Sequence, residues 1–184
     1  LNAFCALSLP LRSLANGLTI ARAVAGLPLI LALQVGWLPL AWWLLLMAGL
    51  SDAADGWLAR RAGGGSSWGA RLDPLTDKVL IAAPLLWLAS TETLPLWAVW
   101  LLLARELLIS GWRAQAGDGG PASLTGKAKT VLQFLALLLM LWPPAWSGHQ
   151  QLVVVGWWLF WPSLLLALRS AVGYIKPRSR PHQR

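Results

Sequence analysis

Apolar runs of close to bilayer length, cut by short polar connections, constrain this chain more than any other feature. They are expected over about 18–35, 40–61, 72–90, 94–113, 127–142 and 151–174. A membrane span needs about 20 largely apolar residues, so the pattern predicts an all-α integral membrane bundle of six transmembrane helices. Composition agrees: 57% of the 184 residues are hydrophobic and 12% are charged, against about 25% charged in soluble domains. A bundle of this size leaves no length for a separate soluble domain, so residues 1–184 are expected to form one membrane domain. Within it, 1–15 reads as a short N-terminal interfacial segment around Pro10, and 175–184 as a basic tail with Lys176, Arg178, Arg180 and Arg184.

The positive charges give a topology. All 15 Lys and Arg residues fall in the N-terminal segment, the second–third and fourth–fifth connections, the tail, or the span halves facing them. The turns near 36–39, 90–95 and 143–150 carry none. By the positive-inside rule both termini are cytoplasmic and the number of spans is even. The first apolar run precedes the first positive charge, Arg12, so no secretory signal peptide is expected there.

Against that apolar background, four of the seven acidic residues fall within one stretch: Asp52, Asp55, Asp73 and Asp77. Asp52 and Asp55 are three apart and Asp73 and Asp77 four apart, so each pair shares a helix face. Carboxylates among apolar segments are expensive unless they coordinate or pair with something. Hard oxygen ligands suit Mg²⁺ or Mn²⁺, and four of them can hold two ions. The alternative is an interfacial ion network with Arg60, Arg61, Arg71 and Lys78. Small residues at Gly56 and Ala59 leave the helix backbone open to close approach, which an ion network does not require.

The spacing D-x-x-D-G-x-x-A-R, eight residues, then G-x-x-x-D-x-x-x-D, carried by Asp52, Asp55, Gly56, Ala59, Arg60, Gly69, Asp73 and Asp77, resembles the signature of the CDP-alcohol phosphotransferases. These are integral membrane enzymes of phospholipid synthesis. The resemblance implies that Asp52, Asp55 and Asp73 are metal ligands. It implies that Asp77 contacts metal or acts as the base on the attacking hydroxyl. Asp52, Gly56, Ala59, Arg60, Gly69 and Asp73 would lie against the CDP moiety.

A second set of residues addresses the acceptor. Ala104-Arg105-Glu106 continuing to Ser110-Gly111-Trp112-Arg113, then Gly126-Lys127-Ala128-Lys129-Thr130, resembles the phosphatidylglycerophosphate synthases of that family. Asn16-Gly17-Leu18-Thr19 through Arg22 resembles their opening segment, without its prolines. Glycerol 3-phosphate carries a dianion, and Arg105, Arg113, Lys127 and Lys129 would supply a cationic pocket for it. Ordinary positive-inside loop charge is the bland reading of the same residues.

The expected reaction is therefore phosphatidyl transfer from CDP-diacylglycerol to sn-glycerol 3-phosphate. It would take place at the cytoplasmic face, in a bacterial inner membrane and in a homodimer such as the family tends to form. Inositol phosphate, serine or phosphatidylglycerol are alternative acceptors, and a small cation transporter is the reading from another class. The net charge of +8 comes with no nucleic-acid module, so no nucleic-acid partner is expected. One cysteine, Cys5, excludes an internal disulfide.

Overall fold

The computed structural model describes residues 24–61, 69–116 and 124–175, with side chains over 24–51, 78–111 and 128–171. Every regular element among them is helical: α1, described over Val24–Gln34, then α2 Leu38–Arg61, α3 Gly69–Ser90, α4 Leu96–Ala116, α5 Leu124–Met140 and α6 His149–Ile175. The expected interfacial segment and basic tail, and Arg22, lie outside the described residues.

Local chemistry explains the turns. Gly36, at φ +82°, ends α1. Its N–H bonds the Leu33 carbonyl at 3.2 Å while that of Trp37 reaches back to Ala32 at 2.8 Å, the paired closure that a left-handed residue after a helix permits. After α3, Glu92 takes φ 57°, a conformation that strains any side chain bearing a Cβ; its N–H bonds the Ala89 carbonyl at 3.2 Å and that of Leu94 the Leu88 carbonyl at 3.1 Å. Between α5 and α6, Pro143 and Pro144 stop the helix. Trp142 and Trp146 pack edge to face at 5.2 Å, and the Trp142 carbonyl lies 2.6 Å from His149 Nδ1. His149 is thus tied into the turn instead of lying loose on the surface.

Two starts differ from expectation. Helix α3 begins at Gly69 and α5 at Leu124, each three residues before the apolar run does. Backbone hydrogen bonding extends a helix into polar residues that apolar periodicity cannot see. Pro74 is consequently the sixth residue of α3, in its second turn.

Helix pairs α3–α4, α4–α6, α6–α5 and α5–α3 are all in contact, closing a ring of four, with α2 laid on α5 and α1 on α3 beside Gly26. The α5–α6 pair is the most extensive. There a Cβ on Gly156 would come within 2.8 Å of both the Ala136 carbonyl and the Met140 nitrogen, so the two backbones meet where only glycine fits. Leu85, Leu88, Val99, Leu102, Leu137 and Phe160 fill the ring's interior.

Large apolar side chains also cover the outside of the bundle, among them Leu31, Met47, Leu86, Trp100, Val131 and Leu165. Soluble monomers rarely expose apolar surface so continuously. Among the described residues one helical stretch, His149–Ala171, is long and apolar enough to cross a membrane unaided. Only 28% of its window is buried, unlike the core helix of a soluble protein. Shorter apolar stretches occur at Leu38–Ser51, Lys78–Ser90 and Ala128–Met140. In the sequence, the helices turn polar beyond these stretches, at Asp52 in α2, Asp77 in α3 and Lys127 in α5, and by the alternation of the helices those ends lie on the same side of the bundle.

Candidate active site

Polar side chains of α4, α5 and α6 meet inside the ring. On α4, Arg105 and Glu106 interrupt an apolar run, and an arginine there needs partners to offset the loss of water. It has three. Its Nε donates to the Ala167 carbonyl of α6 at 2.9 Å, its Nη1 to Glu106 Oε1 at 2.7 Å, and its Nη2 to Ser170 Oγ. Ser170 in turn donates to the Ala167 carbonyl at 2.8 Å.

From α5, Lys129 donates to the same Glu106 oxygen. The three side chains are 10%, 14% and 7% exposed for Arg105, Glu106 and Lys129. Lys78 of α3 acts electrostatically on both Glu106 and Lys129. Each helix of the ring therefore contributes to one cluster, in which a single carboxylate faces more than one cation.

The inner face of α5 grades from polar to apolar. Lys129 and Gln133, one turn apart, are buried at 5% and 3%, and Leu137 and Leu141 follow on the same stripe. The polar cluster thus gives way to apolar packing farther along α5.

The aspartate motif is carried at this end. Asp52, Asp55, Gly56, Ala59 and Arg60 lie on the last turns of α2, and Gly69, Asp73 and Asp77 on the first turns of α3. Both pairs are in continuous helix, so each shares one face. The Phe134 ring rests against Gly49, where a Cβ would lie 2.1 Å from its Cζ. Because α2 and α5 run antiparallel, this contact sets their relative height. At about 1.5 Å per residue, Asp52 and Asp55 stand about 4.5 and 9 Å along α2 from the contact, and Lys129 about 7.5 Å along α5 in the same direction. Asp77 directly precedes Lys78 on α3.

The side chains of the motif residues Asp52 to Asp77, and of Arg113 and Lys127, lie outside the described residues. Among those described, no group of three or more His, Cys, Asp or Glu forms a metal site. Of the four expected acceptor residues, Arg105 and Lys129 are brought together, and the agent joining them is Glu106. Ser170 gave no sequence signal, being one of two serines in an apolar helix. Glu106 gave one only through its neighbour Arg105.

A helical bundle with a D-x-x-D-G motif on one helix, a second aspartate pair on the next and a cationic cluster at the same level defines a recognisable class. The family model for CDP-alcohol phosphatidyltransferase matches residues 12–169, and the chain belongs to this family. It is 35% identical to the probable phosphatidylglycerophosphate synthase of Mycobacterium tuberculosis (strain CDC 1551 / Oshkosh), over 89% of this chain and 80% of that protein. It is 32% identical to the CDP-diacylglycerol–glycerol-3-phosphate 3-phosphatidyltransferase of Rickettsia felis, over 90% and 94%. With the protein of the same name from Shigella flexneri it shares 36% identity, over 80% and 83%.

Proposed function

We propose that this chain transfers the phosphatidyl group of CDP-diacylglycerol to sn-glycerol 3-phosphate, giving phosphatidylglycerol phosphate and CMP. The observation that carries the acceptor is the cluster itself: Arg105 and Lys129, from two helices, converge inside the ring with one carboxylate between them. The excess cation suits a phosphorylated alcohol, and an uncharged acceptor has no need of it. The names of the relatives from Rickettsia felis and Shigella flexneri specify this same reaction.

In this reading all six helices span the membrane, with the polar ends and both termini in the cytoplasm of a bacterial cell. The apolar outer surface and the common direction of the polar ends support it. The lipid tails lie between helices, the CDP head enters the bundle beside α2 and α3, and glycerol 3-phosphate arrives from the cytoplasm. Asp52, Gly56, Ala59, Arg60, Gly69 and Asp73 hold the CDP. Arg105 and Lys129, with Arg113 and Lys127, hold the acceptor's phosphate. Asp77 accepts the proton of the 1-hydroxyl as its oxygen bonds to the β-phosphorus, and the bond from that phosphorus to the bridging oxygen breaks to release CMP.

Four carboxylates, paired on the faces of α2 and α3, are hard donors that fit Mg²⁺ or Mn²⁺, so Asp52, Asp55, Asp73 and Asp77 would hold two such ions. Bound there, the ions neutralise the pyrophosphate's charge. A homodimer belongs to the same reading and rests on the family resemblance.

The deciding experiment is an acceptor screen of the purified protein with CDP-diacylglycerol, reading CMP release. Glycerol 3-phosphate should support release, and chelation of divalent metal should stop it. Preference for inositol phosphate, serine or phosphatidylglycerol would overturn the acceptor. Asp77→Asn should abolish turnover while CDP-diacylglycerol still binds, and near-normal turnover would remove Asp77 from the role of base.

A further inference from the structure

We infer that Ser170 on α6 is a positioning residue for acceptor recognition: it locks the guanidinium of Arg105 in the orientation that receives the acceptor's phosphate. This rests on the reaction proposed above. Ser170 lies one residue beyond the stretch matched by the family model, and nothing in the motif pattern points to it.

Arginine has five N–H donors in a planar fork. On Arg105 one is held by the Ala167 carbonyl, one by Ser170 and one by Glu106. Two partners on one turn of α6 fix both the depth and the plane of the fork. Among the described residues no partner takes the other two N–H groups, and the orientation set from α6 decides where they point. Ser170 is oriented in its turn, because its own hydroxyl proton goes to the Ala167 carbonyl. That leaves its oxygen lone pairs for Arg105. Hydroxyl, carbonyl and guanidinium thus form a closed triangle.

Without the hydroxyl, Nε keeps its carbonyl and Nη1 its carboxylate, but nothing on α6 holds Nη2 and the fork can tilt toward Glu106. Glu106 then competes for the loosened N–H groups, drawing the charge toward the carboxylate and away from an incoming phosphate. The lesion is specific to the acceptor, since the resemblance assigns the CDP to residues of α2 and α3. Alanine is a strong helix former, so Ser170→Ala retains α6. Threonine can send its hydroxyl to the carbonyl one turn back and should restore the triangle.

The test is steady-state kinetics on the purified full-length chain with CDP-diacylglycerol in mixed micelles. Ser170→Ala should raise the KM for glycerol 3-phosphate by roughly three- to tenfold, the scale of the net contribution of one typical hydrogen bond. The KM for CDP-diacylglycerol should not move, and Ser170→Thr should return the first constant to near its original value. An unchanged KM for glycerol 3-phosphate, an equal rise in both constants, or no recovery with threonine overturns the role. Wild-type protein that releases CMP only with an unphosphorylated alcohol removes the proposed acceptor and this role together. Wild-type protein active on glycerol 3-phosphate and matched by Ser170→Ala removes only the role of Ser170.

Discussion

Glu106 places two cations on one carboxylate oxygen in a mostly buried setting, and its removal has a definite sign. Glu106→Gln keeps the shape of the side chain and deletes the charge, leaving Arg105 and Lys129 to repel each other where water screens them poorly. Breaking a buried pair by removing one partner costs about 3 kcal/mol or more, so the variant's thermal midpoint in detergent should fall clearly. A phosphorylated acceptor supplies the missing negative charge. Glycerol 3-phosphate should therefore raise the midpoint of Glu106→Gln more than that of the wild type, and an equal shift in both would argue that the acceptor's phosphate does not meet this cluster. Arg105 was legible because a charge in an apolar run must have a reason, and Lys129 through the Gly126-Lys127-Ala128-Lys129-Thr130 resemblance. The sequence left Glu106 as a bystander and Ser170 unseen, because spacing along one helix says nothing about which helix lies opposite.

At the scale of elements, two glycines hold helices close in different ways. Gly156 faces the backbone of α5, which cannot give, while Gly49 faces the end of the Phe134 ring, which can swing aside. Gly156→Ala gains about 1 kcal/mol of helix propensity, but overpacking against backbone costs about 1–3 kcal/mol and should outweigh it at so short a contact. The expected outcome is a lower midpoint for Gly156→Ala and a smaller loss for Gly49→Ala, read by thermal denaturation in the same detergent. Helix existence was readable from the apolar runs, and the α1–α2 turn from Gly36 followed by Trp37. The early starts of α3 and α5 were not, since they lie in polar sequence. Nor was the tryptophan packing. Trp42 donates from Nε1 to the Leu138 carbonyl at 2.9 Å and meets Trp142 and Trp146 edge to face. An indole reads the same in sequence whether lipid or another indole lies against it.

The described bundle has two unlike ends, one carrying the aspartate motif and the cationic cluster, the other closed by tight turns and indoles. This polarity makes the proposed topology testable. In a Cys5→Ala background, single cysteines at Glu92 and Ser147 should react with a membrane-impermeant thiol reagent applied to intact cells. Cysteines at Ser66 and Ser123 should react only after permeabilisation. Labelling of both sets from outside would refute the even-span arrangement.

The partners of Arg105 on α6 lie 62 and 65 residues further along the chain. At synthesis rates of about 5–20 residues per second, the guanidinium waits roughly three to thirteen seconds for its dock to be made. In that interval α5 delivers Lys129 to Glu106, and the last helix inserted completes the cluster. A chain that stalls before α6 therefore carries an arginine with two of its three partners missing, and quality control at the membrane has an exposed charge by which to recognise it.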